Sequence, residues 1–282
     1  MGEGRAKPQR DESISVFFPA YNDAPSLPSL ISKTFAVLER HFRDFEVIVV
    51  NDGSYDDTAS ILKTLQNGFG ERLRVVTHRK NRGYGGALRS GFAAATKDLV
   101  FYTDGDGQYD VAELPKLLDV LAPDVGLVNG YKLERNDPWH RICIGKAYNR
   151  FARFLFGIRL RDVDCDFRLI RREALRGITL QSTSGTICVE LVRKLELTPW
   201  RTVEVGVHHY PRLYGRSQFF RFRSLLTTLW QLARLYSQVV LFQRLGQLSP
   251  GRPEETSTRV WGTGISAELP ARGTEGSRLP QL

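Results

Sequence analysis

Tyr102-Thr103-Asp104-Gly105-Asp106-Gly107-Gln108-Tyr109-Asp110-Val111 sets three carboxylates and an amide in a turn that follows an apolar strand, Leu99-Val100-Phe101-Tyr102. A run so short and apolar fits the middle of a sheet and brings the turn to its carboxyl edge. Glycines at 105 and 107 let the backbone fold tightly, so the side chains of Asp104, Asp106 and Gln108 can converge on one point. Hard oxygen donors of this kind suit Mg²⁺ or Mn²⁺, which keep coordination positions free for phosphate oxygens. Alone, such a stretch reads equally well as a solvated acidic turn; the chain upstream decides between the two.

Upstream, apolar strand, polar turn and amphipathic helix repeat. Ile14-Ser15-Val16-Phe17-Phe18 runs into Pro19-Ala20-Tyr21-Asn22-Asp23, and Leu27, Leu30, Ile31, Phe35, Leu38 and Phe42 then follow at helical spacing. Glu46-Val47-Ile48-Val49-Val50 ends in Asn51-Asp52-Gly53-Ser54, after which Asp56-Asp57-Thr58 starts a helix carrying Ile61, Leu62 and Leu65. Leu73-Arg74-Val75-Val76 is a third strand, and Tyr84-Gly85-Gly86-Ala87-Leu88 opens a third helix. Alternation of this kind predicts a mainly parallel sheet covered on both faces, with ligands bound beyond the strands' carboxyl ends. The loops at 19–23, 51–57, 78–86 and 104–110 should therefore line one crevice.

These loops carry a family resemblance. Pro19-Ala20-Tyr21-Asn22, Asn51-Asp52-Gly53-Ser54, Asn81-Arg82-Gly83-Tyr84-Gly85-Gly86-Ala87 and Asp104-Gly105-Asp106-Gly107-Gln108 together resemble the nucleotide-sugar half of family 2 glycosyltransferases. Asp164-Cys165-Asp166-Phe167-Arg168-Leu169 and Arg212-Leu213-Tyr214-Gly215-Arg216-Ser217 are similar to motifs of the polyprenyl-phosphate sugar transferases, the branch of dolichol-phosphate mannose synthase. The resemblance runs from about Ser13 to Gln218. It implies an α/β GT-A fold, with a mainly parallel open sheet flanked by helices, and transfer of a hexose from a UDP- or GDP-sugar. It also implies roles. Pro19, Tyr21, Asp23, Asp52, Gly83 and Asp104 match positions around the nucleotide sugar, with Asp52 bonding the base and Asp104 near ribose and metal. Asp106 and Gln108 match a pair that binds Mg²⁺ or Mn²⁺. Asp104, Asp106 and Arg212 are the expected catalytic groups. A bound divalent ion would stabilise the charge that develops on a nucleoside diphosphate leaving group.

Downstream, cations crowd the chain at Lys132, Arg135, Arg141, Lys146, Arg150, Arg153, Arg159, Arg161 and Arg168, with Asp162, Asp164 and Asp166 among them. Arginine forks bind phosphate bidentately, while most such cations elsewhere are solvated helix faces. By similarity, Lys132, Arg141 and Arg212 are the residues expected at an acceptor phosphate. Gly145 departs from the pattern, standing where some family members carry a serine near that phosphate. A lipid monophosphate, with a second pKa of about 6, is already an anion near neutrality and needs no strong base. A saccharide hydroxyl acceptor would instead require one of Asp162, Asp164 and Asp166 to take a proton. Asp164, Asp166 and Arg168 are candidates for orienting sugar or acceptor, and the aspartates serve equally to hold Arg168 or cap a turn.

From Val205 to Leu245 the chain has no acidic residue and six arginines, interleaved with Phe, Leu, Trp and Tyr at helical spacing. A face of that composition packs on a core or lies among lipid headgroups, where each Arg near an anionic surface adds about 1 kcal/mol. Arg234 leaves uncharged runs of only ten residues before it and nine after, where about 20 are needed to span a bilayer. Many bacterial members of the family end in transmembrane helices, so peripheral docking or an integral membrane partner is expected in their place.

The 282 residues are 41% hydrophobic, enough for one sizeable core, and a net charge of +9 favours anionic partners. Nucleic acid is not among those expected, because the basic residues adjoin an apolar helical face and the acidic turn repels a phosphate chain. Cys143, Cys165 and Cys188 lack metal-ligand spacing, and no secretory signal opens the chain, so a reduced cytoplasmic setting on the cytosolic membrane face is expected. The organisation implied is a flexible N-terminus over 1–12, a catalytic domain over 13–218, membrane-surface helices over 219–245 and a disordered tail over 246–282. A transferase acting on a hydroxyl in a cell-envelope polysaccharide, and an inert scaffold on a transferase fold, are the alternatives. Intact Asp52, Asp104, Asp106 and Gln108 speak against the scaffold.

Overall fold

The computed structural model describes residues 9–133, 139–212 and 230–238, with the side chains of 139–144 and 146 also outside the description. Seven strands form one sheet in the order β3-β2-β1-β4-β6-β5-β7. They are β1 (Ile14–Ala20), β2 (Phe45–Asn51), β3 (Leu73–Thr77), β4 (Leu99–Thr103), β5 (Val125–Lys132), β6 (Phe167–Arg171) and β7 (Arg201–Val207). Every residue of β1, β2 and β4 is buried, as expected of central strands covered on both faces.

Because side chains alternate along a strand, these runs feed two cores. Val16, Phe18, Val47, Val49 and Phe101 face one core with α1 (Leu27–His41), α2 (Thr58–Phe69) and α4 (Leu114–Asp119). Phe17, Ile48, Val50, Val100 and Tyr102 face the other, with α3 (Tyr84–Ala94), α5 (Trp139–Phe156) and α6 (Thr186–Glu196). Helix α3 lies close against its strand at Gly91, where an added Cβ would come within 2.3 Å of the Phe17 ring. Phe17 in turn stacks on Tyr102, with centroids 5.2 Å apart.

β1 pairs in parallel with β2 and β4, and β2 with β3, which brings their carboxyl ends to a common edge. Pairing of β1 with β4 ends at Phe17 opposite Tyr102. Pro19 therefore lies beyond β4, where its missing N–H takes nothing from that ladder. The sequence pattern does not disclose β5, β6 and β7. Among the described residues β6 is the only antiparallel strand of the sheet, inserted between β4 and β5 with Phe167 opposite Thr103. Its reversal puts the start of β6 at the same edge as the end of β4.

Residues 9–12, expected within a flexible N-terminus, are instead tied to the domain. The Arg10 N–H donates to His41 O at 2.8 Å, and Glu12 accepts from Arg171 at 2.6 Å. Of the expected surface segment 219–245, only 230–238 are described. Leu232 and Leu235 are buried in the second core, while Trp230 and Arg234 face outward with a cation–π contact. That turn of helix thus packs on the second core, and the rest of the segment and of the tail lies outside the described residues. No helix among those described is long and apolar enough to cross a membrane.

Candidate active site

The four loops at the carboxyl edge bond to one another. After β1, Asn22 adopts φ 56°; its N–H donates to Ser54 Oγ and its Oδ1 accepts from the Tyr55 N–H, each at 3.0 Å. The Tyr21 and Tyr55 rings meet edge to face at 6.0 Å, and Asp23 Oδ2 accepts from the Tyr21 N–H at 3.0 Å. After β2, the buried Asp52 accepts on Oδ1 from the Arg82 N–H at 2.8 Å and from His78 Nδ1 at 2.6 Å. Gly83 caps α3 at φ 81°, with Thr183 O only 2.5 Å from where a Cβ would stand. No other residue fits there without moving the backbone.

The turn after β4 is anchored by the Gly105 N–H, which donates to Pro19 O at 3.1 Å. Asp104 Oδ1 accepts from the Tyr84 hydroxyl at 2.7 Å. Asp106, only 7% exposed, accepts on Oδ1 from the Gln108 N–H at 3.0 Å and on Oδ2 from the Arg212 guanidinium. Gln108 Nε2 donates to Tyr210 O at 3.0 Å, so the acidic turn is stitched to the segment that follows β7.

Behind this turn lies a buried polar network. Arg168 is 0% exposed. Its Nε donates to Asn129 Oδ1 at 2.6 Å, and its Nη1 to the Tyr102 hydroxyl and, at 3.0 Å, to Asp166 Oδ1. Asp162 Oδ1 caps a turn by accepting from the Asp164 N–H at 3.2 Å, and Lys132 Nζ donates to Asp164 O at 3.2 Å. Two of the three aspartates thus hold Arg168 and a turn. Arg141 lies in the first turn of α5, with its side chain outside the description. The cysteines at 165 and 188 are free and buried.

The electrostatics follow from crowding carboxylates away from water. Burial raises Asp104 well above the usual carboxylate range, and the charges of Asp166 and Asp106 add to that rise. Burial lifts Asp23 to about 6, with Asp106 contributing, and burial next to Asp162 lifts Asp164 to about 7. An Asp whose folded pKa exceeds its unfolded value of about 4 stabilises the fold while protonated and loses that contribution as pH rises through the folded value. Glu46, Glu113 and Glu190 shift downward and are ionised in both states above about pH 5. Scanning calorimetry should therefore show the melting temperature falling between pH 5 and 7.5, with a shallower fall in Asp164→Asn. A flat or rising profile would refute this assignment.

Of the residues read from sequence, Pro19, Tyr21, Asp23, Asp52, Gly83, Asp104, Asp106, Gln108 and Arg212 lie on the interlinked loops of the carboxyl edge, with Asp166 behind them on the Tyr102 hydroxyl. Lys132 and Asp164 meet at the neighbouring strand ends. Sequence reasoning gave no role to His78, Tyr84, Ser90, Tyr102 or Asn129, although His78 and Tyr84 lie in the 78–86 loop and Tyr102 opens the acidic stretch.

A sheet of this order with an acidic turn beyond β4 defines a class, and the glycosyl transferase family 2 model matches residues 15–179. The chain belongs to that family. It is similar to undecaprenyl-phosphate 4-deoxy-4-formamido-L-arabinose transferase of Sodalis glossinidius (strain morsitans), 29% identical over 212 residues, 75% of this chain and 64% of that protein. The Aeromonas hydrophila protein of the same name is 29% identical over 206 residues, 73% of this chain and 62% of that one. The chain thus spans less than two thirds of these relatives.

Among solved structures, mannosyl-3-phosphoglycerate synthase from Rubrobacter xylanophilus superposes with TM-score 0.59 at 19% identity, over 84% of this chain and 76% of that one. Glucosyl-3-phosphoglycerate synthase from Mycobacterium tuberculosis, in complex with Mn²⁺, UDP and phosphoglyceric acid, gives 0.57 at 20%, over 86% and 81%. The fold is therefore GT-A.

Proposed function

We propose that this chain is a metal-dependent, inverting glycosyltransferase that moves one sugar from a UDP- or GDP-sugar to a polyprenyl phosphate. The observation that carries the reading is the ion pair from Arg212 to Asp106. It joins the turn read as the diphosphate site to the segment read as the acceptor side. The relatives' names support a lipid phosphate acceptor, and the bound species in the Mycobacterium tuberculosis structure support a nucleotide with a divalent ion.

Among the described residues no group of three or more His, Cys, Asp and Glu side chains is set to hold a metal ion. The donor set nevertheless fits Mg²⁺ or Mn²⁺, since such ions take one or two carboxylates and complete their shell with phosphate oxygens and water. Asp106 and Gln108 would hold the ion, with Asp104 alongside. Once bound, it acts as a Lewis acid toward the leaving diphosphate.

In the reaction, an acceptor phosphate oxygen attacks the sugar's anomeric carbon as the bond to the diphosphate oxygen breaks, inverting that centre. Tyr84 holds Asp104, and Arg212 brings fixed positive charge to the phosphates. Lys132 and Arg141 are proposed at the acceptor phosphate, and Asp166, held by Arg168, at the sugar. Access to the lipid implies peripheral attachment at the cytosolic membrane face, through basic residues of 219–245 or an integral partner.

Donor turnover across a panel of UDP- and GDP-sugars, with and without short-chain polyprenyl phosphate, tests the reading. Lipid phosphate should stimulate turnover at least about tenfold with one donor. Turnover stimulated by a saccharide and not by lipid phosphate would move the acceptor to a sugar hydroxyl.

A further inference from the structure

Asp52 is held in a way that determines which base it can read. A carboxylate only accepts hydrogen bonds, so His78 Nδ1, at 2.6 Å, must carry the proton it shares with Asp52 Oδ1. His78 Nε2 lies 2.9 Å from Ser90 Oγ, which with a neutral ring makes the serine hydroxyl the donor to it. Asp52, His78 and Ser90 thus form a chain in which α3 locks the ring and the ring locks the carboxylate. The Arg82 N–H adds a second bond to the same oxygen at 2.8 Å. Both hydrogen bonds that Asp52 accepts among the described residues fall on Oδ1, filling its two lone pairs and leaving Oδ2 to offer to a ligand.

One loop away, Asn22 supplies the opposite polarity. Its Oδ1 is taken by Tyr55, while its Nδ2 is buried with no hydrogen-bond partner. A buried amide donor without a partner costs free energy unless something bound to it accepts. Beside it the Tyr21 and Tyr55 rings offer flat apolar surface, Tyr55 being largely exposed.

Resting on the nucleotide-sugar reading above, we propose that the Ser90–His78–Asp52 chain makes this site selective for a uracil-type imide over guanine, with His78 as the positioning residue. Uracil presents one N–H donor flanked by two carbonyls. Oδ2 of Asp52 accepts that single proton, and Asn22 Nδ2 is the available donor for a flanking carbonyl. Guanine presents two adjacent donors, N1–H and the exocyclic amine, and needs both carboxylate oxygens. With Oδ1 already saturated, its amine is left unpaired. Adenine and cytosine turn a ring nitrogen lone pair toward the carboxylate and are repelled.

The test is calorimetric titration of the full chain with UDP and with GDP, each with Mn²⁺. Wild type should bind UDP at least about 30-fold more tightly than GDP, the factor expected when a buried donor goes unpaired. His78→Leu frees Oδ1, so the ratio should collapse to about threefold or less. His78→Asn, which returns an amide donor near the Nδ1 position, should keep most of the ratio. Equal affinities in wild type, or a His78→Leu variant that weakens both nucleotides by one factor, would overturn the proposal while leaving the transferase reading in place. Should His78→Leu not fold by circular dichroism, Ser90→Ala takes its place: a ratio lowered severalfold supports the proposal, and an unchanged one overturns it. Binding of neither nucleotide would remove the nucleotide-sugar reading and this inference with it.

Discussion

Replacing Asp106 with Asn should reduce sugar transfer by at least about a thousandfold while the protein stays folded. Asparagine has nearly the same shape and keeps an oxygen for the Gln108 N–H that Oδ1 now receives at 3.0 Å. What it loses is the charge, and with it the ion pair to Arg212 and, on the proposed reading, the anionic donor for a divalent ion. Arg212 is partly open to solvent, so removing its partner costs little stability. The separation can be checked by pairing a radiolabelled transfer assay with a thermal melt. Transfer within tenfold of wild type would sink the placement of diphosphate and metal at this turn.

Arg168→Met should destabilise the fold by about 3–5 kcal/mol, because a buried ion pair that loses one member leaves the other charge uncompensated. Arg168 is fully buried and serves Asn129, Tyr102, Val163 and Asp166 at once. Methionine approximates its length and none of its donors. Urea unfolding of the single variant and of Arg168→Met/Asp166→Asn distinguishes lost packing from stranded charge, since neutralising Asp166 should recover part of the loss. A cost below about 1 kcal/mol would mean that the network is not an internal support of the site.

The half of the sheet built from β1 to β4 was legible because its strands are plain. Ile14–Ala20 and Phe45–Asn51 are apolar runs buried on both faces, and each ends in residues whose polarity signals a loop. The half built from β5 to β7 was not, for reasons visible in its residues. β5 reads Val-Gly-Leu-Val-Asn-Gly-Tyr-Lys, with glycines and an asparagine interrupting any apolar run. Asn129 is buried because it serves Arg168 and Asp162 O. β6 carries arginine at two of its five positions, and one of them is the most deeply buried cation in the description. Periodicity measures water-avoidance and has no means of recognising a charge that is fully solvated by neighbouring protein groups. His78 was missed similarly: its partners Asp52 and Ser90 are 26 and 12 residues away in the chain.

The reversed direction of β6 has a consequence for how such a protein can diversify. Phe167 enters the sheet beside the end of β4, so the connection leading into it arrives at the same edge as the loops after β1 to β4 without crossing any of those strands. Within that connection Ile158, Leu160, Asp162, Val163 and Cys165 are buried, so it can change at the exposed Arg159 and Arg161 while β1 to β4 keep their register. On the reading proposed above, acceptor recognition can therefore change at those two positions apart from recognition of the donor.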